Sequence, residues 1–271
     1  MRPLEAVMIA GADLASVGSG SLVGFVLGLI GGGGSILAVP LLVYAVGVAS
    51  PHVAIGTSAV AVALSAFANL LGHARAGHVR WPCTLVFSTA GIAGAAAGSA
   101  IGKRFDGQKL LLLFGVLMIV IAAMMLVRKA GDGSGFRPLG RATASTLLPR
   151  LLGMGGLVGA MSGFFGIGGG FLIVPGLMGA ARMPMIMAIG SSLVAVTAFG
   201  ATTAASYALS GLVDWRIAIL FVAGGVAGGL GGTLLARHLS RHKTMLSRVF
   251  AAIVAIVGVY VVLRGYTAVL G

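Results

Sequence analysis

The chain is short of acid. Five of its 271 residues are Asp or Glu, against 18 Lys and Arg, and charged residues make up 8% of the sequence, where soluble domains carry about 25%. All five acids, Glu5, Asp13, Asp106, Asp132 and Asp214, fall in or near loops or the N-terminal segment. No carboxylate therefore sits plainly within a helix-bundle interior, where carriers of cations and proton pumps usually need one. A negatively charged solute is the better match. Cysteine is scarcer still. Cys83 stands alone, which excludes an intramolecular disulfide and any Cys-x-x-Cys metal or redox centre. No Ser-His-Asp set, paired carboxylates or metal-ligand cluster can be assembled either, so neither catalysis nor a cofactor or metal is expected.

What the chain does have is apolar surface and glycine. Hydrophobic residues make up 58%, the mean hydropathy is +1.10, and 46 residues are Gly. Uncharged apolar runs of 18 residues or more mark membrane-spanning helices. Such runs are Val53–Leu71, Pro82–Gly102, Leu110–Val127, Leu151–Ala181, Met183–Val213 and Ile217–Ala236, with the shorter Val249–Leu263, bounded by Arg248 and Arg264, read the same way. Leu151–Ala181 is too long for one crossing, since roughly 20 residues span the hydrocarbon core, and must be two helices or a broken one. The expected fold class is all-α: a polytopic integral membrane protein with about eight transmembrane helices plus broken or re-entrant segments. The N-terminus, with Glu5 and Asp13, reads as a retained first span rather than a cleaved leader.

The net charge of +13 does not argue for nucleic acid. The basic residues cluster at the ends of apolar runs instead of along one face, as lipid headgroups and the cytoplasmic side require. Trp81 and Trp215, beside Arg80 and Arg216, read as interfacial anchors. His73 and His78, flanking Arg75, read as solvated loop histidines in preference to a pH-sensing or gating pair.

The sequence also repeats. At a shift of 135, Gly33–Pro40 (GGSILAVP) lies on Gly168–Pro175 (GGGFLIVP); at 134, Ala54–Val62 (AIGTSAVAV) lies on Ala188–Val196 (AIGSSLVAV). The second shift also superposes Trp81 on Trp215, Gly91 on Gly225, Gly94 on Gly228, Gly98 on Gly232 and Lys109 on Lys243. Chance matches Leu with Val, not Trp, Pro and Gly in register. The expected division is therefore a first transmembrane repeat at 1–128, a basic Gly-rich linker at 129–147, and a second repeat at 148–271. Each repeat parses as an apolar segment, a glycine cluster, a short segment, a long span, a tight turn before Trp, and two further spans. Four crossings per repeat would give parallel repeats and five inverted ones. With four, the basic residues divide almost evenly, leaning towards cytoplasmic termini.

Consecutive glycines in a membrane segment free N–H groups that lipid cannot satisfy. In each repeat the cluster precedes a short helix, so the freed amides and the positive helix end would converge on one point suited to an anion. Pro40 and Pro175 would break or kink these helices. The alternative is that the glycines merely let helices approach. Neither cluster has the Lys or preceding strand of a nucleotide loop. Gly94, Gly98 and Gly102, like Gly224, Gly228 and Gly232, recur every fourth residue and read as close-packing faces. Thr57 and Ser58, aligned with Ser191 and Ser192, could line the site or bond their own helix. Ser65, Asn69, Thr197, Thr202 and Thr203 could extend the polar path.

The duplicated GGGGSILAVP and GIGGGFLIVP motifs, the Gly-Thr-Ser and Gly-Ser-Ser triplets and the Trp opening a later span resemble the sulfite exporter TauE/SafE family, also called toluene sulfonate uptake permeases, over nearly the whole chain. That resemblance implies a multi-pass carrier of the bacterial cell inner membrane that moves sulfite, sulfonates or related small organic acids. The expected substrate-binding residues are Gly33, Gly34, Ser35, Thr57, Ser58, Asn69, Gly168, Gly169, Gly170, Ser191 and Ser192, with Pro40 and Pro175 as helix breaks. Ser35 departs from the motif where the second copy has Gly170. The partners expected are a small anion and membrane lipid, with self-association left open. An anion channel of the same fold and a non-transporting membrane scaffold are the other classes the residues allow.

Overall fold

The computed structural model describes residues 3–127, 139–140, 143–238 and 243–270; most of the expected linker, residues 128–138 and 141–142, lies outside them. Every regular element is helical. In chain order these are α1 (Pro3–Ile30), the short α2 (Gly32–Ala45), α3 (Pro51–Arg75), α4 (Trp81–Gly102), α5 (Gly107–Val127), α6 (Ala144–Phe165), the short α7 (Gly170–Ala181), α8 (Met185–Ala208), α9 (Trp215–His238) and α10 (Lys243–Leu270). Eight of them are long and apolar enough to cross a membrane; α2 and α7 are apolar but short. The protein is thus an all-α, polytopic membrane protein. Leu151–Ala181 resolves into the end of α6 and all of α7.

The helix directions follow from where glycines touch their neighbours. Gly20, Gly24 and Gly28 of α1 meet Phe221, Gly225 and Gly229 of α9 in rising order, so these helices run parallel. Gly91, Gly94 and Gly98 of α4 likewise climb along Gly155, Gly156 and Ala160 of α6. In contrast, Gly56 of α3 meets Tyr207 while Gly200 of α8 meets Ala59 and Ala63, which makes α3 and α8 antiparallel. Gly115 beside Gly258 and Gly265 beside Leu112 make α5 and α10 antiparallel too. The short helices turn back on their predecessors. Gly34 of α2 packs on Val23 and Leu27 of α1, and Gly169 and Gly176 around α7 pack on Ser162 and Val158 of α6.

Equivalent helices of the two sequence repeats therefore point in opposite directions, an inverted arrangement. The reversal comes from α2 and α7, each of which carries the chain back without completing a crossing. The most extensive packing, α1 on α9 and α4 on α6, joins one repeat to the other. Its cause lies in the every-fourth glycines. Gly224, Gly228 and Gly232 meet the backbone of Val17, Ser21 and Phe25, and Gly94, Gly98 and Gly102 meet Gly156, Ala160 and Phe164. Without side chains the helices approach to backbone contact, which maximises dispersion where hydrocarbon gives no hydrophobic drive. The central pair α3 and α8 is the most enclosed of the spans. Trp81 and Trp215, about half exposed, open α4 and α9 at opposite ends of the bundle, as interfacial anchors should.

This reversal re-sorts the charges. Among the described residues, one end of the bundle takes Arg75, Arg80, Arg150, Arg182, Arg237, Lys243 and Arg248. The other takes Lys103, Arg104, Lys109, Arg216 and Arg264. The sequence-based lean towards cytoplasmic termini rested on four crossings per repeat and reverses here.

Two outcomes are expected. Reporters fused at the C-terminus and within the 129–138 stretch should fall on opposite sides of the membrane, with the linker cytoplasmic by the positive-inside rule; a cytoplasmic C-terminus would contradict the assignment. Gly228→Leu should force α1 and α9 apart and destabilise the fold by about 1–3 kcal/mol, as overpacking in a rigid core does, read as a lowered unfolding midpoint in detergent.

Candidate substrate site at the helix breaks

Helix α1 ends at Ile30 because Gly31 adopts φ 79°, which a side chain would disfavour. Helix α2 then changes its hydrogen-bond spacing twice: a 3₁₀ turn over Gly32–Leu37, one α turn over Ala38–Pro40, and a π turn over Leu41–Ala45. Pro40, lacking an N–H, stands where the α turn gives way. In the second repeat α6 is closed by Gly166 in the left-handed region, whose N–H donates to Ser162 O. Gly168 and Gly169, both at φ 64°, carry the chain to the first turn of α7, with Pro175 inside that helix.

The two breaks meet. The backbones of Gly32 and Gly170 are in direct contact, Gly31 lies against Ile189, Gly168 lies between Val62 and Val196 near the middles of α3 and α8, and Gly166 lies against Ile55. The two helix breaks thus form a short column through the middle of the bundle, and all residues from Ile30 to Pro40 and from Phe165 to Phe171 are buried. Some of its polar groups are satisfied across the repeats. Gly32 N–H donates to Ser192 Oγ at 3.3 Å, and Ser58 Oγ lies 3.4 Å from Gly166 O. Others are not. Among the described residues, the N–H groups of Gly168 and Gly169 meet no acceptor. A buried unpaired amide costs about 1–3 kcal/mol. Gly168 and Gly169 sit just ahead of the positive end of α7, where an anion is favoured.

The hydroxyls singled out from sequence are placed less simply. Ser58 and Ser192 donate to Ile55 O and Ile189 O of their own helices at 2.8 and 2.7 Å while touching the breaks. Thr57 and Ser191 face elsewhere. Thr57 Oγ1 accepts from Asp214 N–H at 2.9 Å and Ser191 Oγ from Arg80 N–H at 3.0 Å, so each secures the start of α9 or α4 in the opposite repeat. Ser35 donates to Gly32 O at 2.9 Å. Asn69, bonded to Ser65 O, lies against Gly28 and Gly229 between α1 and α9, within one helical turn of the Gly31 break. Thr197 and Thr202 bond carbonyls four residues back.

One residue at the breaks escaped the sequence reading. Ser162, on the last turn of α6, is fully buried and its Oγ has no partner. It abuts Gly169: a Cβ there would stand 2.8 Å from Ser162 Oγ. The signal available was a lone serine one helical turn before the α6 break. No group of three or more His, Cys, Asp or Glu capable of holding a metal occurs among the described residues.

A membrane bundle organised around paired helix breaks is the architecture of a transporter, and comparison with known proteins places it. The profile of the sulfite exporter TauE/SafE family matches residues 16–261, and the chain belongs to that family. It is 52% identical over 253 residues to a "Probable membrane transporter protein" of Xylella fastidiosa strain Temecula1, covering 93% of this chain and 96% of the relative. It is 29% identical over 228 residues to "Probable membrane transporter protein YunE" of Bacillus subtilis strain 168, covering 76% and 81%. No solved structure matches.

Replacing Thr57 by Val should remove the acceptor for Asp214 N–H and lower stability by about 1 kcal/mol, measured by detergent unfolding. Ligand affinity should stay within about twofold, since the bond it loses holds α9 and not the break.

Proposed function

We propose that this chain is a secondary transporter moving a small oxyanion, such as sulfite, a sulfonate or a related organic acid, across a bacterial inner membrane. The observation that carries the reading is the pair of buried amides at Gly168 and Gly169, with no acceptor among the described residues, at the meeting point of two helix breaks midway along the central helices. Amide donors fixed by the fold bind an anion without the desolvation and reorganisation that a mobile lysine would incur, and α7 adds the field of its N-terminus. The scarcity of acids within the bundle supports an anionic over a cationic solute.

Movement would differ from a simple rocking of one repeat on the other. The tightest packed units, α1 with α9 and α4 with α6, each draw on both repeats. Alternating exposure then follows from tilting these pairs about α3 and α8, with the column of breaks as the fixed point.

Purified protein in liposomes should take up labelled sulfite or a sulfonate and show accelerated exchange against internal unlabelled substrate, which a channel does not. Gly169→Val, placing a branched side chain on left-handed backbone against Ser162, should cut uptake at least about tenfold. Gly33→Ala, at ordinary φ and 3.2 Å from the Phe250 ring edge, is the milder probe and should reduce it less. Failure to move any of sulfite, sulfonates and small carboxylates would overturn the reading.

A further inference from the structure

The two breaks are not chemically equal, and their difference points to one residue. In the second repeat, Gly169 is backed by Ser162, whose Oγ is fully buried and unpartnered. In the first repeat the equivalent glycine, Gly34, is backed by Leu27 at the equivalent position. Ser35, where the second copy has Gly170, turns its hydroxyl inward to Gly32 O. The first break is thereby closed by an apolar side chain and by its own hydroxyl. The second presents two consecutive unpaired amides, a helix N-terminus and a free hydroxyl together.

Resting on the anion reading above, we infer that the solute is held one-sidedly, at the N-terminus of α7 by Gly168 and Gly169, and that Ser162 is the side chain that contacts it and sets its affinity. A buried serine in a helix ordinarily disposes of its proton by donating to a carbonyl three or four residues back, as Ser58, Ser99, Ser192, Thr197 and Thr202 do here. Ser162 makes no such bond. Its own carbonyl is already the acceptor for Gly166 and Ile167 N–H, which pins the turn so that the hydroxyl faces Gly169. A hydroxyl donating to an oxyanion oxygen beside two amides completes a three-donor cradle, the arrangement a tetrahedral or pyramidal oxyanion accepts from one face.

The test uses the full chain in detergent, titrated calorimetrically with sulfite and with methanesulfonate. Ser162→Ala should weaken binding of both about 10-fold to 100-fold, the range for a hydrogen bond to a charged group, without lowering the ligand-free unfolding midpoint, because Oγ makes no bond to lose. Thr203→Ala removes another fully buried, unpartnered hydroxyl that no break glycine touches, and should leave affinity unchanged. Equal affinity in Ser162→Ala and the parent chain would overturn the assignment of Ser162 while leaving the anion reading standing; so would an equal loss in Thr203→Ala. If the parent chain binds neither anion, the anion reading fails and this inference with it.

Discussion

Hydrocarbon supplies no hydrogen bonds, so each backbone amide within the bilayer must find its partner inside the protein. Eight long helices meet that demand by themselves. The structure departs from it at two places, Gly31–Gly34 and Gly166–Gly169, and everything notable about the protein gathers there. Both breaks are buried at the centre, enclosed by α3 and α8, with part of their polar backbone answered by Ser58 and Ser192 from the opposite repeat. That exchange ties each break to the helix that is its neighbour's counterpart. The remaining amides are held in place by the same contacts, so the donors are fixed before any solute arrives.

Close approach is the second condition. The every-fourth glycines of α4 and α9 let these helices touch α6 and α1 along their backbones, and the resulting pairs bridge the repeats. Inversion and exchange of partners are linked. Because α2 and α7 return the chain, α1 runs parallel to α9 and α6 to α4, and each first helix finds its complementary glycine face in the other repeat. The exposed Trp81 and Trp215 at opposite ends are a surface record of the same inversion.

Much of this was legible in the sequence. Matched glycine clusters and tryptophans pointed to the repeat, the breaks and the glycine faces, since each of these residue types has a backbone or interfacial role that apolar residues cannot fill; Pro175, expected to break its helix, instead sits inside the continuous α7. The parity was not legible. A segment the length of α2 is apolar whether it crosses or turns back, and only its packing on Val23 and Leu27 shows that it turns. The sorting of basic residues failed for that reason alone. Hydroxyl roles were also hidden: Thr57 and Ser58 are adjacent, yet one faces the start of α9 and the other a break, a difference of one step around a helix. Ser162 was passed over because a serine within an apolar helix usually satisfies itself.

The exchange of first helices bears on how the chain is made. Helix α1 is made well before α9, and until α9 follows, Gly20, Gly24 and Gly28 lack the backbone that fills the groove they form. The first repeat therefore has no complete interior of its own during translation, and the bundle closes only when the C-terminal spans arrive and α1 is drawn across to them.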